Sequence, residues 1–449
     1  MRVGRALSCL SVAIAGICLC WRISVRGAET PAFFNPDPQH VSNRLYYQLH
    51  VRTDLHGKEH GFDSLDPFLW RETNYLLSGA SHARALALAD EFLRTHAETQ
   101  ITDPMKRAIL QRDLWAVFDW ADQPDLPHQV ERHELMARLA PIVAALALSP
   151  DELTRLPDTY ARALQNHEFP PAYDPASPNG AFLPPDLFDR AGRWVCLGAP
   201  NEKLAAPLHD HSFPARSVFF AFARLPGGRD ATLAYFKQLA EMKIPLFVRM
   251  EEAGWPQPMT VWNPKVPQFP AGTEFALVRR MTLPDRDGQL RLTPVTESVQ
   301  IRHYTDVPNV DPMATRDVNL ARRFQDPSEV ELSRTLLFSG RHSGLRGITA
   351  TDEPFLIFPA MSHGLDVFED RSIPERAYSP FVQCTSCHLG PGIQSMMSFS
   401  FRGNPNEGPV FSPRLAETTP SEEAKKVMDW AQTQPKWKDL VRLITTRTQ

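Results

Sequence analysis

Apolar residues recur at helical spacing through the first third of the chain. Over Ser81–His96, Leu86, Ala89, Phe92 and Leu93 share one face, while Arg84, Asp90 and Arg94 fall away from it. Asp103-Pro104 supplies a cap and a first-turn proline for a second helix through Ala121, with Leu110, Leu114, Val117 and Ala121 as its stripe. A third helix is expected from about Val130 to Leu148, with Pro141 placed to kink or split it. Ser149-Pro150-Asp151-Glu152 then forms a capping box for a short fourth. Residues 65–165 therefore read as a small helical bundle.

The pattern changes after a Pro-rich connector, Phe169–Pro185. Arg193–Leu197 and Ser217–Arg224 are β-branched or aromatic runs that predict strands. Gly227-Gly228 turns into a helix over Asp230–Met242. Glu274–Leu283 and Val295–Tyr304 predict two more strands, with Asp287-Gly288 as a turn between them. A loop-rich stretch covers about 353–415, and a final helix starts at Thr419, with Pro420 in its first turn and Glu422 completing a capping box. Pro435 interrupts it before Trp437–Ile444. The expected fold class is α+β, with an N-terminal helical domain (29–168), a mostly antiparallel sheet domain (190–350) and a loop-rich C-terminal segment ending in a helix (353–449).

Composition narrows the function classes. A chain of 449 residues, 43% hydrophobic and 22% charged, has ample apolar side chains for real cores and exceeds one ordinary domain. Its net charge of -4 marks neither nucleic acid nor an anionic membrane as a partner. The 41 prolines are spread along the chain, which implies long ordered loops and short elements. At the start, Arg2 and Arg5 precede an apolar run from Ala6 to Trp21, the layout of a secretory signal peptide (1–28) and too short to read as a transmembrane helix. The expected location is the periplasm or the cell exterior, with no membrane span beyond an uncleaved signal anchor. Without those 28 residues only Cys196, Cys384 and Cys387 remain, too few for a disulfide framework. Cys196 lies in an apolar strand-like run and reads as a buried, inert thiol.

The most informative stretch is Cys384-Thr385-Ser386-Cys387-His388. Two cysteines three apart lie about one helical turn apart, so both sulfurs can reach neighbouring vinyl groups of one porphyrin. A histidine directly after the second sulfur is held under the ring, where its imidazole can bind the iron. Thr385 and Ser386 are small, and Gly390-Pro391-Gly392 ends any helix almost at once. A zinc site would want a second cysteine or histidine pair at ligand spacing, and a thioredoxin-like redox pair would follow a strand in a βαβ unit. The pentapeptide resembles the haem-attachment motif of c-type cytochromes, and the resemblance is local to Cys384–His388. It implies one covalently attached haem c on Cys384 and Cys387, with His388 as the proximal iron ligand. Di-haem peroxidases carry two such motifs, whereas this chain has one.

The sixth iron ligand decides the function, because two strong protein ligands leave an electron carrier and an open position leaves an enzyme or sensor. Candidates are His363, then Met396 or Met397, then Met361; Met428 fits a packing role on its helix better. The reading is an exported monohaem protein for haem binding and electron transfer, serving a redox partner protein in that compartment. Two alternatives stay open, a haem enzyme or small-molecule sensor, and a secreted binding or scaffold protein with a Cys384-Cys387 disulfide. No catalytic constellation is readable apart from the haem site. His56-Gly57-Lys58-Glu59-His60 reads as a loop, and Gly227-Gly228-Arg229 as a turn. His209-Asp210-His211 looks more like a metal clip, yet no partner for it can be identified along the chain, and a role in metal binding is not assigned to it.

Overall fold

The computed structural model describes residues 32–53, 57, 59–65, 74–125, 127–201, 203–250, 259–307, 324–349, 388, 392–397, 411 and 414–445. The fold is α+β. Helices α1 (Val41–His50), α2 (Gly79–Arg94), α3 (Pro104–Ala121), α4 (Gln129–Ala145), α5 (Pro150–Thr154) and α6 (Thr159–Gln165) come first. Asp103 caps α3 by accepting the Met105 and Lys106 amides, and Ser149 and Glu152 close the capping box of α5. Helix α4 runs through Pro141 without a break. The lost backbone bond, about 3 kcal/mol, is offset by burial of Leu135, Leu139, Ile142 and Val143.

Seven strands build one antiparallel sheet: β1 (Val195–Gly198), β2 (Ser217–Arg224), β3 (Glu274–Pro284), β4 (Leu290–Tyr304), β5 (Gln325–Leu332), β6 (Leu345–Gly347) and β7 (Ala416–Glu417). Their spatial order is β6-β5-β4-β3-β2-β1-β7, so every pair from β1 to β6 joins neighbours in sequence and β7 closes the far edge. The β3–β4 turn carries Gly288 at φ 73°, as Asp287-Gly288 implies. Helices α7 (Pro207–Ser212), α8 (Gly228–Glu241), α9 (Arg334–Ser339) and α10 (Ile393–Met397) are inserted between strands, and α11 (Pro420–Thr433) and α12 (Pro435–Thr445) follow the sheet.

Strand alternation divides the core. On one face Val218, Phe220 and Phe222 of β2 join Ala276 and Val278 of β3 and Val299 and Ile301 of β4. That face shares a single apolar cluster with α1–α4 and with Ala424, Val427, Trp437 and Leu440 of α11 and α12. Met428 packs against the same cluster, a core role. The alternate residues, including Ala221, Ala223 and Phe275, face the other way, toward α8 and α10. Cys196 is buried on the helical face, and among the described residues it forms no disulfide.

Candidate functional site

The second face of the sheet is the floor of a partly open cavity. Leu197, Ala221, Leu277 and Gln300 are successive register partners across β1, β2, β3 and β4, forming one row. Arg302 lies two residues further along β4 on the same face. His209 of α7, Phe236 of α8, and Ile393 and Met396 of α10 add walls. The lining is mainly apolar, with His209, His388, Gln300 and Arg302 as its polar side chains.

His388 borders this cavity and is clamped from several sides. The Gln325 side-chain amide, at the start of β5, donates to the His388 carbonyl at 3.1 Å, and the same side chain's oxygen accepts from Arg302 at 3.0 Å. The His388 ring pairs through Nδ1 with the Ser395 carbonyl at 2.9 Å. A carbonyl can only accept, so Nδ1 carries the proton and the lone pair is on Nε2. Ser395 is fixed in turn by the Tyr304 hydroxyl at 2.6 Å. The amide of Ile393, which opens α10, donates to Gln268 Oε1 at 2.9 Å. Gly392 before it has φ 51°, and a Cβ there would run into Gln268 Oε1 and Val307. Only glycine fits this approach.

Across the cavity stands His209, its ring tilted against Phe219 of β2 at 5.2 Å. The His209 and His388 ring centres are 6.4 Å apart with planes 21° from parallel. Burial, then Arg302 and Arg279, hold the His209 imidazole down at about 4. Burial, then Arg302 and His209, hold His388 well below the usual imidazole range. Both rings are therefore neutral near pH 7, the form that binds metal ions.

The His209-Asp210-His211 triplet is taken apart by its helix. His209 faces the cavity, Asp210 is buried with its carboxyl held well above the usual range by burial, and His211 rests on Trp430 at 4.7 Å. Met396 lines the cavity. Cys384, Cys387, His363 and Met361 lie outside the described residues, as does the expected signal peptide, residues 1–28. Sequence reasoning missed Arg302, Tyr304, Gln325, Gln268 and Ser395, which are ordinary residues until the strands bring them to His388. The doublet His209/His211 was the one available signal. No protein-family model, curated protein or solved structure matches this chain. Function therefore has to be argued from the motif and the cavity.

Proposed function

We propose that this is an exported monohaem c-type cytochrome-like protein that binds haem c through Cys384 and Cys387 and transfers electrons. The observation that carries the reading is the orientation of His388. Its Nδ1–H is donated to the Ser395 carbonyl, which fixes the tautomer and raises the basicity of Nε2, the arrangement that metal-binding histidines use. Two further features fit the group. The lining is mainly apolar, as a porphyrin face needs, and Arg302 supplies a buried cation for its carboxylates.

Bound there, haem c supplies a one-electron couple. The chain's residues hold that couple in a fixed setting. Gln325 and Ser395 hold His388, and Tyr304 and Gln268 hold helix α10, so a change of charge at the site meets little rearrangement. Leu197, Ala221, Leu277 and Phe236 keep the dielectric low. The basic-then-apolar start supports an exported compartment, where covalent haem is fitted and where its redox partner would be found. Among the described residues no helix is long and apolar enough to cross a membrane.

The test is expression with the leader in a host that exports and matures c-type haem. Haem should stay on the chain through denaturing electrophoresis, and Cys384→Ala with Cys387→Ala should remove it. Deleting residues 1–28 should leave a soluble, haem-free cytoplasmic protein. A wild type that never acquires haem in such a host overturns the reading.

A further inference from the structure

We infer that His209 is the sixth ligand, opposite His388, so that two imidazoles close the iron and the site serves electron transfer rather than chemistry on a bound small molecule. The inference rests on the haem attachment proposed above. Its basis is a length. A metal–imidazole bond is about 2 Å, and a five-membered ring with C–N bonds near 1.33 Å puts each nitrogen about 1.15 Å from the ring centre. Two imidazoles on opposite sides of one metal ion therefore have centres about 6.3 Å apart. Two imidazoles at a tetrahedral ion, such as a zinc held together with Cys384 and Cys387, would have centres about 5 Å apart. The observed separation is 6.4 Å. It matches the spacing of opposed ligands and exceeds the tetrahedral value by more than an ångström.

The setting agrees with the length. Both rings border one cavity, from elements far apart in the chain, α7 and the turn before α10. Neither is there by accident of a flexible surface loop. His388 is tied to Ser395 and Gln325, and the His209 ring rests on Phe219 beside the buried Ala205 and Ala206. Met396 borders the cavity too, but it packs with the apolar cluster of Phe236, Phe269 and Ile393. Two histidine ligands also predict a lower reduction potential than a histidine–methionine pair.

The experiment uses the full-length, exported, haem-loaded protein and reads the absorption spectrum, carbon monoxide uptake and metal content. The wild type should contain one iron, be low-spin and take up no carbon monoxide when reduced. His209→Ala should keep its covalent haem, turn high-spin and bind carbon monoxide, and added imidazole should restore the low-spin spectrum. His209→Met guards against misfolding of the alanine variant, and should stay low-spin with a raised potential. His363→Ala and Met396→Ala should remain low-spin. A low-spin His209→Ala protein without imidazole, a high-spin wild type, or a spin change that follows His363 or Met396 instead would overturn the inference while leaving haem attachment standing. A wild type with no haem, or with zinc in place of iron, overturns the attachment itself and this inference with it.

Discussion

The two faces of the central sheet bury polar groups in opposite ways. On the helical face, α3 carries three charged residues into the core, and each meets an opposite charge. Arg112 pairs with Glu297 of β4 at 2.9 Å, Asp119 with Arg216 at 2.5 Å, and Asp113 with Arg334 of α9. On the cavity face, the polar groups around the void are two neutral imidazoles, Gln300, and Arg302, whose guanidinium donates to the neutral Gln325. The buried charges of α3 on the first face are each paired with an opposite charge within the protein. The second offers neutral nitrogen donors and positive charge, the complement of a metal with carboxylate substituents. Alternate residues of the same strands thus build a structural core and a receptive site.

The sharpest way to break that comparison is to remove a charge from the first face. Glu297 accepts from both Arg112 and Arg279, the latter at 2.8 Å. Glu297→Ala strips the carboxylate from two buried guanidiniums, and breaking a buried pair in this way costs about 3–5 kcal/mol. Urea denaturation should show that loss. In the haem-free protein, His209→Ala should change stability by only about 1 kcal/mol. Equal losses from the two variants would mean that the faces do not differ as argued.

A second test uses pH. Glu329 of β5 lies opposite Gln300 and is pushed up to about 8, first by burial and then by Glu331, with Arg302 and the Gln300 hydrogen bond opposing. Its folded-state value lies above that of the unfolded chain, so the folded protein holds the proton more tightly. The resulting stability is fully present below the ordinary value of 4.5 and is lost as pH rises through about 8, by a few kcal/mol in all. Glu329→Gln should flatten that slope in denaturation curves taken between pH 5 and 8. A slope that survives the substitution assigns it to other groups.

The fold was largely legible because its main signals are local. Strands β2, β3 and β4 follow from runs of β-branched and aromatic residues, the cap of α3 from the adjacent Asp103-Pro104, and the capping boxes of α5 and α11 from residues three apart. Strand β5 was hidden by its own sequence, Gln325-Asp326-Pro327-Ser328-Glu329-Val330-Glu331-Leu332, in which a proline and three acids look like a loop. Helix α6 was hidden by its length of seven residues. The buried charges of α3 read as an ordinary polar face, since nothing near them in sequence shows that Glu297, Arg216 and Arg334 arrive to pair with them. The site divides in the same way. The Cys-x-x-Cys-His motif is five contiguous residues and is visible in the sequence, whereas the residues that hold His388, and His209 beside it, depend on strand order and register, which periodicity does not encode.

Gly392 gives a smaller, more local effect. Gly392→Ala must place a Cβ against Gln268 Oε1 and Val307 at positive φ, a strain of about 1–3 kcal/mol. Helix α10, which carries Ser395, should detach from Gln268 at its first residue, and with it the support of the His388 ring. The expected result is a severalfold lower yield of covalent haem with little change in the urea midpoint of the sheet. A normal yield would show that the clamp is dispensable for haem attachment.

The smallest expected effect concerns Arg302, and it separates charge from position. A buried cation beside the two imidazoles disfavours the more positive, oxidised iron, so it should raise the reduction potential. Arg302→Leu should lower the midpoint by on the order of 50 mV, about 1 kcal/mol for one electron. Arg302 also holds Gln325, which in turn holds the His388 carbonyl, so the same substitution loosens the proximal turn. Gln325→Leu removes that link and keeps the cation. A fall in potential confined to Arg302→Leu assigns the effect to charge, and equal falls in both variants assign it to the position of His388. No change in either places the iron away from this cavity and returns the second face of the sheet to an ordinary, imperfectly filled core.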